Sequence, residues 1–130
     1  FSEYQGKFIK RKKRVYVIPN ALQKKFTENI TPDKERAFAA RRILMLGSLK
    51  SYKGTREFFE LASRMPEFNF ELIINDSQEN IQGYIKRNGL GIPSNLSVLP
   101  RQNNVAEFYN RASLVLNLSN KELFIETLRL

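Results

Sequence analysis

Ile43-Leu44-Met45-Leu46-Gly47, a short loop to Lys53-Gly54, and then Phe58, Phe59, Leu61, Ala62 and Met65 at helical spacing decide how this chain folds. Four consecutive apolar residues closed by a glycine read as a buried strand, and the recurrence that follows reads as one face of a helix. The next segment repeats the pattern. Phe70-Glu71-Leu72-Ile73-Ile74 is a strand, Ser77 stands where it can cap a helix carrying Ile81, Tyr84 and Ile85 on one face, and Asn88-Gly89 stops that helix.

Downstream, Leu96-Ser97-Val98-Leu99 reads as a short strand, Val105-Ala106-Glu107-Phe108-Tyr109 as a helix, Leu114-Val115-Leu116-Asn117-Leu118 as a strand, and Glu126 begins a further helix. Upstream, Val15-Tyr16-Val17-Ile18 is a short strand ended by the turn Pro19-Asn20. Residues 23–42 are polar and charged, a linker or a surface excursion, with Thr31-Pro32-Asp33 marking a loop or a helix start. Strands that are nearly all apolar and alternate with helices imply an α/β fold, a Rossmann-like parallel sheet of about five strands between helices. Strand ends at Gly47, Asn75, Leu99 and Ser119 are expected to line one edge.

The 130 residues, 42% hydrophobic and 27% charged, suffice for one core. Phe1 in place of Met, and an apolar, helix-compatible end at Leu130, read as cuts in a longer protein. Residues 1–14 are expected to close a preceding domain or form a linker helix, and residues 15–130 to form the Rossmann-like domain, truncated at its C-terminus. No apolar run is long enough to span a bilayer or to form a signal peptide, so a soluble fragment is expected. The absence of cysteine excludes disulfides, thiolate zinc sites and a cysteine nucleophile, and fits a reducing cytoplasm. The absence of histidine removes the commonest general base and transition-metal ligand. No metal site is expected.

With 22 Lys and Arg against 13 Asp and Glu, the net charge of +9 calls for an anionic partner. The run Lys10-Arg11-Lys12-Lys13-Arg14, after Tyr4, Phe8 and Ile9 at helical spacing, is either a solvated helix end or a contact for an anionic membrane surface. Nucleic acid is not the expected partner, because Phe58, Phe59, Phe108 and Tyr109 fall at helix-core spacing and form no exposed stacking stripe.

In an open parallel sheet, ligands collect where strands end and helices begin, because free N–H groups and the helix dipole there favour anions. The loop from Gly47 through Ser48 and Lys50 to Lys53-Gly54 offers a glycine and two lysines before a helix. It either receives a phosphate or merely turns the chain with solvated lysines. It is neither a Walker loop nor a Gly-x-Gly-x-x-Gly fingerprint. A second candidate runs from Asn117 to Thr127 and contains Glu122 and Glu126, either ligand-binding carboxylates or partners of a helix dipole. The third, Leu99-Pro100-Arg101-Gln102-Asn103-Asn104, carries an arginine placed to stack on a base or to stay in solvent.

In order, Val17-Ile18-Pro19-Asn20, Gly47 to Lys53-Gly54, Val98-Leu99-Pro100, residues 107–119 and Glu126-Thr127 resemble the retaining glycosyltransferases of group 1, the bacterial family that builds capsules, lipopolysaccharide and glycolipids on two facing Rossmann-like domains. The resemblance implies the C-terminal, donor-binding half of such a GT-B enzyme. The donor would be a UDP- or GDP-linked sugar, bound as substrate with no cofactor or metal. The acceptor would be a glycan or lipid-linked molecule held by the N-terminal half, and the location cytoplasmic, at the inner face of the membrane. It places Gly47, Ser48, Lys50 and Lys53 at the diphosphate and Leu99, Pro100 and Arg101 near the nucleobase. Glu126 would orient the donor sugar, or Glu122 in an alternative register.

Two departures stand out. The family usually has arginine after the loop glycine, where this chain has Ser48, and the second glutamate of the family's pair falls on Leu130 or just beyond it. The fragment alone is therefore expected to be inactive as a transferase. The alternative of another class is a non-catalytic Rossmann-like module that binds a nucleotide or a protein partner.

Overall fold

The computed structural model describes Lys24, residues 28–31 and residues 33–120. The expected strand at Val15–Ile18, the basic run at 10–14, and the segment with Glu122 and Glu126 lie outside the described residues. Among the described residues from Lys34 onward, the elements follow in the order α1 (Lys34–Ala39), β1 (Arg42–Gly47), a 3-10 turn (Ser51–Lys53), α2 (Thr55–Arg64), β2 (Asn69–Ile74), α3 (Gln78–Arg87), β3 (Leu96–Leu99), α4 (Val105–Arg111) and β4 (Leu114–Leu116). The expected α/β fold is present. All four strands are parallel, in the order β3-β2-β1-β4.

That order follows from two steps in one direction and one step back. β1, β2 and β3 are laid down side by side, their crossovers α2 and α3 packing on one face. The chain then returns across the sheet to place β4 on the far side of β1. Crossovers keep one hand, so a reversal of travel puts the returning helix, α4, on the opposite face. The side chains sort accordingly. On the first face, Ile43, Met45, Phe70, Leu72, Ile74 and Leu96 of the sheet bury Phe58, Phe59, Ala62 and Ile81 of α2 and α3. The Phe58 and Phe70 rings meet edge to face at 5.3 Å. On the second, Leu44 and Ile73 pack with Phe108 of α4, while Leu46 and Val115 remain 40% and 44% exposed.

Local signals in the sequence are realised where they were read. Ser77 caps α3 by accepting the Asn80 N–H at 3.2 Å, Asn88 is the C-cap, and Gly89 follows with φ 59°. Asp33 caps α1, so Thr31-Pro32-Asp33 marks a helix start. β4 ends at Leu116, two residues before the expected end, because its register with β1 stops at Met45↔Leu116. Among the described residues no helix is long and apolar enough to cross a membrane.

Candidate functional site

Parallel strands bring all four carboxyl ends to one edge, and the winding reverses between β1 and β4. A reversal of winding at the carboxyl edge is the place where such sheets bind ligands. The loop after β1 is the one read as a phosphate loop. The Gly47 carbonyl accepts the Asn75 N–H at 3.2 Å, fixing the ends of β1 and β2 together. The Ser48 carbonyl accepts the hydroxyl of the buried Thr55 at 2.9 Å, which folds the loop back onto the start of α2. Ser48 Oγ accepts the Lys50 N–H at 3.5 Å, and the Lys53 N–H reaches the Lys50 carbonyl at 3.0 Å to close the 3-10 turn.

Tyr52, half-buried inside that turn, has the Lys50 Nζ 5.9 Å and the Lys53 Nζ 5.5 Å from its ring centroid. Gly54 then caps α2 in the left-handed conformation, φ 75° and ψ 19°, and offers the helix no side-chain cap. The first-turn N–H groups of α2, the positive end of its dipole, are thus left without a side-chain acceptor from their cap residue.

The loop after β4 is drawn onto this turn. Ser119, 3% exposed, donates its N–H to Asn117 Oδ1 at 3.1 Å, and the Asn120 N–H donates to the Tyr52 carbonyl at 3.0 Å. A Cβ on Gly54 would fall 2.4 Å from the Cβ of Leu118, so the loops touch at backbone distance. Two of the three stretches singled out in the sequence therefore meet at the reversal point, as far as Asn120; Glu122 and Glu126 lie beyond the described residues.

The third, Leu99-Pro100-Arg101, lies at the same edge at the end of β3, two strands from β1, or roughly 10 Å at ordinary strand spacing. Leu99 packs against the Leu44–Ile73–Phe108 cluster, and the Pro100 carbonyl accepts from Gln102 Nε2 at 2.9 Å. Arg101 is tied back over β2. Its N–H donates to the Asp76 carbonyl at 3.3 Å and its Nε to Asn75 Oδ1 at 2.6 Å. Asp76 itself accepts from Asn80 Nδ2 at 2.7 Å and the Ser77 N–H at 2.8 Å. These bonds, the Asn80 one foremost, hold its carboxyl below the usual carboxylate range, with the Arg101 charge adding to them.

Tyr52, Asn120 and Asp76 were not singled out in the sequence. Asp76 had a signal, an acid between a strand end and a helix cap. Tyr52 had one only as an aromatic beside two lysines, and Asn120 had none, since its part is played by its backbone.

A hollow of about 530 Å³ opens at the other edge of the sheet, between α1 and α4, lined in part by Thr31, Asp33, Arg36, Arg42, Glu107 and Arg111. Its lining sets the carboxylates of Asp33 and Glu107 among its cations, and Arg111 is already paired with Glu71 at 2.7 Å, so the carboxyl edge is the candidate site for an anionic ligand. Among the described residues no cluster of three or more acidic side chains gathers to hold a metal ion. No family model, no curated protein and no solved structure matches this chain, so its site is read from its own residues.

Proposed function

We propose that this chain is the donor-binding part of a retaining, metal-independent glycosyltransferase, which moves a sugar from a UDP- or GDP-linked donor to a glycan or lipid-linked acceptor in cell-surface polysaccharide synthesis. One observation carries the reading. The lysine-bearing loop of residues 47–54 and the loop of residues 117–120 are hydrogen-bonded together at the reversal point of a parallel sheet, where an anionic nucleotide is favoured.

In this reading the donor diphosphate lies against Lys50, Lys53 and the start of α2. As the bond between the sugar and the diphosphate breaks, negative charge grows on the leaving group, and cations already in place stabilise that charge more than they stabilise the ground state. Lysines thereby do what a metal does elsewhere. The base lies toward Leu99, Pro100 and Arg101, and Glu126, or Glu122 in the alternative register, holds sugar hydroxyls. The acceptor comes from a preceding domain, and the basic run of residues 10–14 meets the inner face of an anionic membrane.

Calorimetric titration with UDP, GDP and ADP tests the reading. A charge-assisted contact is worth about 1.5–3 kcal/mol, so Lys53→Ala is expected to weaken binding roughly ten- to hundredfold. Lys86→Ala, exposed in the last turn of α3, is expected to leave it unchanged. Equal losses in the two variants would remove the loop from the site. A nucleoside diphosphate that binds while its sugar-linked form does not would favour the non-catalytic module.

A further inference from the structure

We infer that the site takes a guanine nucleotide: Arg101 reads the base through guanine O6 and N7, and Asn75 is the positioning residue that holds its guanidinium. The inference rests on the nucleotide reading above and narrows the donor from UDP- or GDP-linked to GDP-linked. Asn75 lies just after β2 and Arg101 two residues past β3, on neighbouring parallel strands, so both stand at the carboxyl edge. Arg101 is held at two points. Its N–H donates to the Asp76 carbonyl at 3.3 Å and its Nε to Asn75 Oδ1 at 2.6 Å. Asn75 is fixed in turn, since its own N–H donates at 3.2 Å to the carbonyl of Gly47, where the loop after β1 begins.

The acid beside this arginine does not take its charge. The Asp76 carboxyl accepts the Ser77 N–H at 2.8 Å and Asn80 Nδ2 at 2.7 Å, at the start of α3, and among the described residues no carboxylate forms an ion pair with Arg101. A neutral amide oxygen holds Nε instead, so the guanidinium keeps its full charge, and neither Nη nitrogen has a hydrogen-bond partner among the described residues. That end of the group is a planar fork of parallel N–H donors, which matches two acceptors set side by side. Of uracil, adenine and guanine, guanine alone offers such a pair, O6 and N7. Adenine puts an amino donor beside N7, and the uracil oxygens flank an N–H. A ribose separates the base from the diphosphate, so one nucleotide needs two recognition points set apart. Arg101 follows β3, two strand spacings or about 10 Å from β1 and the lysine-bearing loop.

Calorimetry compares GDP, UDP, ADP and inorganic pyrophosphate on the wild-type chain, Arg101→Lys and Asn75→Ala, with thermal melts of each. The wild-type chain is expected to bind GDP about five- to hundredfold more tightly than UDP or ADP, the discrimination that one bidentate base contact gives. Arg101→Lys, which keeps the charge and loses the fork, is expected to bring GDP down to the UDP level, while pyrophosphate, which carries no base, binds as before. Asn75→Ala is expected to lower the GDP preference about three- to tenfold, again without moving pyrophosphate, a split that general loosening of the edge would not produce. Should Asn75→Ala not fold, the Arg101 Nε–H signal of the wild-type chain decides: slowed exchange with water upholds the part given to Asn75, and exchange as fast as in a free guanidinium overturns it. GDP bound no more tightly than UDP or ADP, or a preference that survives Arg101→Lys or Asn75→Ala, overturns the inference and leaves the nucleotide reading standing. Binding of no nucleotide up to the millimolar range overturns both. An Arg101-dependent preference for GDP, with a GDP-linked hexose left unbound, upholds the inference and removes the glycosyltransferase.

Discussion

Gly54 takes a left-handed φ of 75°, and a Cβ built there falls 2.4 Å from the Cβ of Leu118 and 2.6 Å from its carbonyl oxygen. Backbone cannot be displaced as cheaply as the end of a flexible side chain, so any larger residue must separate the loops of residues 47–54 and 117–120. Gly47 is different. A Cβ there would meet Leu72, Met45 and Thr55 atoms at 3.5 Å, ordinary contact at an unremarkable φ. Gly54→Ala is therefore expected to cost about 1–3 kcal/mol in denaturant unfolding and to break the Asn120–Tyr52 bond. Gly47→Ala is expected to cost under about 1 kcal/mol. Equal costs would mean that Gly54 is a turn residue with no part in joining the loops. The sequence offered both glycines as loop punctuation, and only the partner loop at Leu118, more than sixty residues on, distinguishes them.

Elements are held in place by a few side chains that satisfy backbone ends. Asn95, just before β3, directs its Nδ2 to the carbonyls of Ala62, Met65 and Phe68 at 2.9, 3.1 and 3.0 Å, while its own carbonyl accepts the Phe70 N–H at 2.8 Å. One half-buried amide thus closes the C-terminal end of α2, whose last carbonyls have no helical partner, and ties it to β2 and β3. On the other face Ser113 plays the same part. Its N–H donates to the Arg42 carbonyl and its hydroxyl oxygen accepts the Arg42 N–H, both at 2.8 Å, while its hydroxyl donates to the Ala37 carbonyl, joining α1, β1 and β4. Removing the Asn95 donors takes one partner from each of three carbonyls, two of which keep a backbone N–H, so Asn95→Ala is expected to cost about 1–3 kcal/mol. Asn95→Asp should cost more, since it keeps the shape and aims a carboxylate at three oxygens. Urea midpoints compare them, and an aspartate variant as stable as the alanine one would show that the amide closes nothing.

At the scale of the whole molecule, the legible part of the sequence is the part governed by local rules. Continuous apolar runs and 3.6-residue spacing placed every described α-helix and strand from β1 onward, because runs such as Ile43–Met45 and the Phe58, Phe59, Ala62 face are buried by the same geometry that spaces them. The candidate loops were legible too, since strand-to-helix junctions announce themselves by glycine and lysine. What the pattern does not encode is which distant segment meets which. The clasp of Asn95 and the Asn120 bond to Tyr52 depend on the β3-β2-β1-β4 order. That order also has a consequence in time. β1, β2 and β3 join neighbours in sequence, whereas β4 reaches β1 across a separation of 71 residues, and its register covers only Ile43↔Leu114 to Met45↔Leu116. Distant pairing forms late and short pairing opens early. Amide hydrogens of residues 114–120 are therefore expected to exchange with deuterium faster than those of β1 and β2, and to slow selectively when UDP or GDP is added. Uniform exchange across the sheet would contradict this. The junction of β1 with β4 is then completed last as the chain folds and lost first as it loosens, so a ligand bound there would act as a latch on the native state.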